Sequence, residues 1–308
     1  MPQNLISNTL IRILYKSRYG NIVKVLITGK SGQLGWELCN RVPESAIEVF
    51  AFDSAELDIT DAKKVAEVFA SIQPDVVINC AAYTAVDKAE SDKATAFLVN
   101  EEGAKNIANA CIKVGARLLH ISTDFVFDGT KCSPYIVTDR PNPIGVYGAS
   151  KLAGEVAVQS MQPEAIIVRT AWVYSSHGNN FVKTMLRLMQ EKPQLGIVSD
   201  QIGTPTYAAG LADWLWTVVN KPNIKGIYHW SDAGVASWYD FAIAIQELAL
   251  EKGLLYKAIP VLPIYAAQYP TPAKRPAYSV IDKTAAEQES GVQTVHWRKQ
   301  LSSMLDNL

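Results

Sequence analysis

Short apolar runs alternate with longer mixed segments through the first half of the chain. The run Val23-Lys-Val-Leu-Ile27 ends at Thr28-Gly29, as is typical of a buried parallel strand. Further runs of this kind are Ile47–Phe52, Asp75–Asn79, Ala116–Ser122 and Ile166–Thr170. The stretches between them predict helices from about Gln33 to Arg41 and over 61–71, 91–114 and 146–160. This alternation predicts an α/β fold, a doubly wound parallel sheet with right-handed crossovers.

Beyond Trp172 the pattern changes to shorter elements that Pro and Gly separate, as at Lys192-Pro193, at Gly203-Thr-Pro205 and over the cluster 269–276. We expect residues 173–308 to form a smaller C-terminal α/β lobe that faces the substrate. Ligands of open α/β sheets bind beyond the carboxyl ends of the strands, where such a lobe can close over them.

Composition narrows the range of partners. Hydrophobic residues make up 48% of the chain and charged residues 19%, which fits a globular protein and excludes a disordered one. The 29 basic and 30 acidic residues create no bulk field that would attract nucleic acid or a membrane surface, so a small-molecule partner is expected. The four cysteines form no CxxC pair, and no apolar run reaches the ~20 residues of a membrane span. These features predict a cytoplasmic location.

Three glycines lie between the first strand and the first helix, in the segment Thr28-Gly-Lys-Ser-Gly-Gln-Leu-Gly35. Glycine permits a tight turn and a close approach of pyrophosphate, which then lies on the N–H groups at the helix start. An ordinary strand-to-helix turn is the alternative, but the position between the first strand and the first helix favours a Rossmann-type dinucleotide site. We expect the dinucleotide-binding domain to span residues 21–172 and residues 1–20 to be an N-terminal extension. The boundary between this domain and the C-terminal lobe is expected to be interleaved. The predicted contacts are Gly29, Ser31, Gly32, Gln33, Leu34 and Gly35.

Asp53 ends the second strand, where a carboxylate would accept hydrogen bonds from the adenosine ribose. A helix-capping or turn aspartate is the alternative. A carboxylate there favours NADH, whereas Lys30 in the glycine loop could pair with the 2′-phosphate of NADPH, so both cofactors stay open. Residues after the second and third strands could flank adenine and ribose, although tight packing of strand ends would also explain the small ones; these are Asp58, Ile59, Ala81, Ala82 and Tyr83.

Tyr147 and Lys151 are four residues apart on a predicted helix, which puts both side chains on one face. An adjacent ammonium favours the phenolate, and the phenol then becomes a better proton donor to a developing alkoxide. This spacing is common on solvated helices. Thr123 ends the predicted fourth strand in a hydroxyl-rich turn, however, and can donate to a carbonyl oxygen that gains charge.

Several segments, in this order, resemble the extended short-chain dehydrogenase/reductases and, within them, the RmlD-type dTDP-4-dehydrorhamnose reductases. They extend from the first strand almost to the C-terminus: Gly29-Lys-Ser-Gly-Gln-Leu-Gly-Trp-Glu37, Thr84-Ala-Val-Asp-Lys-Ala-Glu90, Ser122-Thr-Asp-Phe-Val-Phe127, Tyr147-Gly-Ala-Ser-Lys-Leu-Ala-Gly-Glu155, Arg169-Thr-Ala-Trp-Val-Tyr174, Gly178-Asn-Asn-Phe181 and Tyr269-Pro-Thr-Pro-Ala-Lys-Arg-Pro276.

The resemblance implies a catalytic triad of Thr123, Tyr147 and Lys151. It implies reduction of the 4-keto group of dTDP-4-dehydro-β-L-rhamnose, the last step of dTDP-rhamnose biosynthesis. Side chains expected to contact the sugar nucleotide are Thr123, Asp124, Trp172, Asn180, Lys274 and Arg275, although Trp172 could instead be a core residue.

Some members of this family bind Mg2+ through acidic residues that join two subunits. Glu37 matches one such position, but the second half shows no local carboxylate cluster. We therefore predict no metal site and leave a homodimer open.

Two other functions compete. A non-catalytic, NADP-binding regulatory subunit, like the β subunit of methionine adenosyltransferase, resembles the same family but would not need the triad, which is present here. A related sugar-nucleotide epimerase or dehydratase is the second. A dehydratase would be expected to carry an acidic pair after the threonine, whereas Thr123-Asp124-Phe125 supplies one acid.

Overall fold

A computed structural model describes residues 22–44 and 47–308. The predicted extension over 1–20 lies outside the described residues. The strands, in chain order, are β1 (Val23–Thr28), β2 (Ile47–Phe52), β3 (Val76–Asn79), β4 (Arg117–Thr123), β5 (Ile166–Thr170), β6 (Val173–Tyr174), β7 (Leu195–Val198), β8 (Ile202–Gly203), β9 (Thr206–Tyr207), β10 (Gly226–His229), β11 (Ala236–Ser237) and β12 (Val261–Ile264).

The helices lie between and after these strands. They are α1 (Gln33–Asn40), α2 (Ala62–Ile72), α3 (Val86–Ala89), α4 (Lys93–Phe97), α5 (Ala104–Val114), α6 (Val146–Met161), α7 (Phe181–Glu191), α8 (Ala208–Val219), α9 (Trp238–Glu251), α10 (Thr284–Ser290) and α11 (Trp297–Leu305). A π-helical turn spans Leu98–Gly103, and short 3-10 turns span Asp124–Val126 and Ala266–Gln268.

Six of the described strands form one parallel sheet in the order β10-β5-β4-β3-β1-β2. The order reverses between β1 and β3, so their carboxyl ends flank the switch point where doubly wound sheets bind ligands. Both faces of the sheet are covered, which is why its strands are continuous apolar runs. The predicted α/β fold is confirmed, and the first five predicted strands match β1 to β5 within one or two residues.

The predicted helix over 91–114 is interrupted by the π-helical turn at Leu98–Gly103. Here α6 approaches so closely that a Cβ on Gly154 would lie 2.1 Å from the Asn100 carbonyl oxygen. The Asn100 side chain accepts from the Tyr83 N–H and donates to the Tyr83 carbonyl oxygen and the Ser150 hydroxyl. The turn therefore ties the segment after β3 to the helix that carries Tyr147, as π-helical turns often do near functional sites.

The second half of the chain contributes to two cores. The α8 residues Trp214 and Leu215 are buried with β10 against the main sheet, whereas Phe241 of α9 and Trp297 of α11 belong to a separate apolar cluster. We propose that the chain divides into a dinucleotide-binding domain and a substrate-binding lobe. Helix α8 and strand β10 come from the second half of the chain but belong to the dinucleotide-binding domain.

Candidate active site

A cavity of about 710 Å3 lies at the carboxyl ends of the parallel strands, between the main sheet and the start of α9. It brings together the glycine loop, the ends of β2 and β4, the first turns of α6 and a wall from the second half of the chain. Predicted site residues that line it are Gly29, Ser31, Gly32, Gln33, Leu34, Gly35, Asp53, Asp58, Ile59, Ala81, Ala82, Thr123, Asp124, Tyr147, Lys151, Trp172 and Arg275.

The glycine loop makes a cradle that side chains would fill. Gly29 has a φ of +73°, and a Cβ there would lie 2.8 Å from the Ala81 backbone nitrogen. A Cβ on Gly35 would lie 2.2 Å from the Gly29 carbonyl oxygen. Gly32 is the N-cap of α1 and has no side chain to occupy the first N–H groups of the helix. These features fit the pyrophosphate of a dinucleotide.

Asp53 reaches the cavity beside this loop. Its carboxylate accepts from the Ala55 and Glu56 N–H groups and from the Ser31 hydroxyl at 3.2 Å. Burial would raise the pKa of Asp53, but these hydrogen bonds outweigh it and lower the pKa, so the group stays ionised. Lys30, which sequence reasoning set against Asp53, pairs with Glu56 and does not line the cavity.

The triad meets where β4 ends and α6 begins. A Cβ on Gly148 would lie 2.1 Å from the Phe125 carbonyl oxygen, so this glycine allows α6 to approach the turn after β4. The Thr123 hydroxyl lies close enough to Tyr147 to influence its pKa, and it donates to the Asp124 carboxylate at 3.1 Å. Buried Lys151 donates to the Ile121 carbonyl oxygen at 2.7 Å. A reacting oxygen between the Tyr147 and Thr123 hydroxyls would meet two donors if the Thr123 hydroxyl turned from Asp124 toward it.

Burial dominates the protonation of these groups. It raises the pKa of Tyr147 to about 12, lowers that of Lys151 to about 8 and raises that of Asp124 to about 6. Lys151 is not among the groups that act on the pKa of Tyr147 here, so the expected lowering of that pKa by the Lys151 ammonium stays a prediction. Tyr147 keeps its proton at neutral pH, which is the state that a proton donor needs.

Two buried polar clusters support the strand ends, and the sequence analysis missed both. Thr28 donates to Asn79 at 2.6 Å, and Asn79 donates to Nδ1 of His120 at 3.0 Å. Burial holds the pKa of His120 well below its usual value, so this ring is neutral. The clusters join neighbouring strands, so no local spacing in the sequence reveals them.

The second cluster is centred on Glu155. Its carboxylate accepts from the Ser122 hydroxyl at 2.5 Å and from Nε and Nη2 of Arg169 at 3.0 and 2.7 Å. Both charged side chains are 2% exposed. The carboxylate also acts on Lys151, where it partly offsets the fall in pKa that burial causes. This ion pair fixes the helix that carries Tyr147 against β4 and β5.

Aromatic rings form the wall opposite the triad. Trp172 has a φ of +45° and stacks on Trp238, with ring centroids 3.5 Å apart and planes 4° from parallel. Both rings line the cavity, and Trp238 was not predicted. Arg275 also lines it, held by a bidentate pair in which Nη1 and Nη2 lie 3.0 and 2.8 Å from the Asp87 carboxylate.

Three predicted contacts do not line the cavity. The Tyr83 hydroxyl donates to Asp92. Asn180 caps α7 by accepting from the Lys183 N–H, and its neighbour Asn179 lines the cavity instead. Lys274 is exposed beside Arg275.

Glu37 lies apart from the cavity lining and is buried. Burial raises its pKa although the Ser175 hydroxyl donates to it at 2.6 Å. Within 22–44 and 47–308, no group of three or more His, Cys, Asp or Glu side chains could hold a metal ion. No helix in this described part is long and apolar enough to cross a membrane.

Comparison with known proteins agrees with this geometry. The model of the RmlD substrate binding domain matches residues 23–308. The chain is 43% identical over 289 residues to a dTDP-4-dehydrorhamnose reductase of Aggregatibacter actinomycetemcomitans, covering 92% of this chain and 98% of the relative. It is 40% identical to the Escherichia coli K12 enzyme of that name, covering 93% and 98%. The Bacillus anthracis reductase in complex with NADP superposes with a TM-score of 0.88 at 38% identity, covering 93% and 99%.

Proposed function

This chain belongs to the RmlD family of dTDP-4-dehydrorhamnose reductases, and we propose that it reduces the 4-keto group of dTDP-4-dehydro-β-L-rhamnose with NADPH or NADH. The product is dTDP-β-L-rhamnose, so the enzyme is an oxidoreductase of dTDP-rhamnose biosynthesis. The observation that carries this proposal is the single cavity that holds the glycine cradle together with Thr123, Tyr147 and Lys151.

We assign the proton transfer to Tyr147. The nicotinamide, when bound, supplies the hydride. Tyr147 gives its phenolic proton to the C4 oxygen as that oxygen gains negative charge, and Thr123, which lines the cavity beside Tyr147, orients and stabilises the same oxygen. Lys151 is fixed by a hydrogen bond to the Ile121 carbonyl oxygen, and from there it would hold the nicotinamide ribose by a second hydrogen bond.

We assign substrate contacts to Asp124, Trp172 and Arg275, which line the same cavity as the triad. Arg275 would offer the diphosphate those guanidinium N–H groups that do not face Asp87, and Trp172 would offer an apolar ring to the sugar nucleotide. The regulatory-subunit and epimerase alternatives are not favoured, because relatives at about 40% identity over more than nine-tenths of the chain are named as reductases.

The decisive assay follows the absorbance of NADH and of NADPH with dTDP-4-dehydro-β-L-rhamnose as substrate, and identifies the sugar product by NMR. We expect consumption of the reduced cofactor in equal amount to the dTDP-β-L-rhamnose formed. Absence of consumption with both cofactors, in a protein that binds them, would overturn the proposal.

We also propose a cytoplasmic enzyme that forms a homodimer. All four cysteines are free thiols, which suits a reducing compartment. Light scattering on the purified chain measures its mass in solution, and the mass of a single chain would exclude the dimer.

A further inference from the structure

Lys30, a cation within the glycine loop, is engaged by a carboxylate. Lys30 Nζ lies 2.8 and 2.6 Å from Oε1 and Oε2 of Glu56, and the two side chains are 17% and 24% exposed. Glu56 also accepts from the Asp53 N–H at 3.0 Å. Burial would raise the pKa of Glu56, but the Lys30 and Asp53 hydrogen bonds outweigh it and lower the pKa, so the carboxylate stays charged. The positive charge of Lys30 is therefore already balanced by Glu56 within the protein.

The backbone places this pair beside the adenosine ribose site. The Lys30 N–H donates to the Phe52 carbonyl oxygen at 3.0 Å, which fixes the glycine loop against the end of β2. Asp53 and Ser31 line the cavity there, whereas Lys30 and Glu56 do not. A ribose bound at this end would face the ionised carboxylate of Asp53. The nearby ammonium of Lys30 is paired with a second carboxylate, that of Glu56.

We propose that Glu56 is a specificity-determining residue, which competes with the 2′-phosphate of NADPH for Lys30. This inference rests on the proposed use of NADH and NADPH. NADH has hydroxyls at the ribose and needs no cation there, so the pair does not hinder it. NADPH brings a phosphate next to Asp53 and gains a compensating charge only when Lys30 leaves Glu56. The strength of the Lys30–Glu56 pair thus sets how far the enzyme discriminates against NADPH.

Binding isolates this effect from catalysis. Dissociation constants of NADH and NADPH are measured by calorimetric titration without sugar nucleotide, for the wild type, Glu56→Gln, Lys30→Met and the double variant. Glutamine keeps an oxygen that can accept from the Asp53 N–H while it removes the charge. We expect Glu56→Gln to tighten NADPH binding about three- to tenfold and to change NADH binding less than about twofold, the range of a partly exposed ion pair.

The double variant separates release of Lys30 from simple loss of repulsion. If Glu56 acts by holding Lys30, the gain for NADPH disappears when Lys30→Met is added. Lys30→Met alone changes NADPH binding little, because its ammonium is already engaged. Glu164→Gln is the matched control, since it removes the carboxylate of the exposed Glu164–Lys225 pair, outside the cavity lining. It leaves both dissociation constants unchanged.

Several outcomes would overturn the inference. They are an unchanged NADPH constant in Glu56→Gln, an equal gain with and without Lys30, or a loss in Lys30→Met as large as the expected gain. Should Glu56→Gln fold poorly, Glu56→Asp serves instead, because its shorter carboxylate weakens the contact with Lys30 and gives a smaller gain of the same sign. Loss of turnover with intact cofactor binding would count against the proposed function and leave this inference standing.

Discussion

Gly203 leaves room for the indole of Trp172, and a single methyl group tests that arrangement. A Cβ at position 203 would lie 2.6 Å from Cε2, 2.7 Å from Nε1 and 2.8 Å from Cζ2 of Trp172. Carbon atoms in van der Waals contact are about 3.5–4.0 Å apart, so the Cβ of alanine and the indole would have to move about 1 Å farther apart. Retreat is restricted, because Trp172 is stacked on Trp238 and Gly203 is paired with Ala236 in a two-stranded sheet.

Overpacking of this size costs about 1–3 kcal/mol of unfolding free energy. The consequence for substrate follows from the cavity, which Trp172 lines. A displacement of about 1 Å in a group that positions substrate can reduce kcat/KM up to about a hundredfold. Because Trp172 is assigned to substrate binding, we expect about a tenfold loss, most of it in KM. Gly203→Ala should raise KM for the sugar nucleotide about tenfold, whereas KM for NADPH changes less than about twofold.

Urea unfolding and steady-state kinetics measure the two effects on one preparation. Gly196→Ala is the matched control, because this exposed strand glycine would place its Cβ 3.3 Å from Cγ2 of Ile264, which can rotate away. The double variant Gly203→Ala/Trp172→Phe should recover stability, since the smaller ring makes room, without recovering the sugar-nucleotide KM. Wild-type stability and KM in Gly203→Ala would refute this account of the Trp172 wall.

Three other changes test separate parts of the structure. Tyr147→Phe should lower kcat about 10²–10⁴-fold with unchanged cofactor affinity by titration, and near-normal turnover would remove Tyr147 as the acid. Arg275→Ala should raise KM for the sugar nucleotide more than it lowers kcat. Lys274 is its exposed neighbour, and Lys274→Ala should behave as wild type. Equal effects of the two substitutions would contradict the assignment of Arg275 to the diphosphate. Burial raises the pKa of Asp232 to about 8, so the folded chain holds a proton that the unfolded chain releases above about pH 4. The free energy of unfolding should therefore fall as the pH rises from 5 to 8. Urea titrations at several pH values measure this fall, and Asp232→Asn should make it smaller.

The sequence predicted those parts of the fold that depend on residues close to one another along the chain. Strands β1, β3, β4 and β5 are mostly buried, so each appears as a short, mainly apolar run with clear ends. Short strands such as β8 and β11 have two residues each, and only their pairing with one another defines them. The same holds for β10, which lies far along the chain but completes the main sheet beside β5. No window of local sequence contains both partners.

The candidate site divides in the same way. Tyr147 and Lys151 were predictable because their spacing on one helix is local, and Thr123 because it ends a strand. Their pKa values were not predictable, since burial sets them and burial depends on the whole fold. Trp238 reaches the cavity only because α9 folds back over the strand ends, and nothing in its immediate sequence indicates that.

Glu155 shows why the supporting residues escape local reasoning although they determine how the site is held. A glutamate four residues after Lys151 would ordinarily face solvent on a helix, yet here it is buried and accepts hydrogen bonds from Ser122 and Arg169 on two adjacent strands. A buried charge is tolerated only when its partners are already in place, so this pair can form only once β4, β5 and α6 are packed together. Lys151 lies one helical turn before Glu155 and donates to the Ile121 carbonyl oxygen of β4, so the position of its ammonium is set by the packing of α6 against β4.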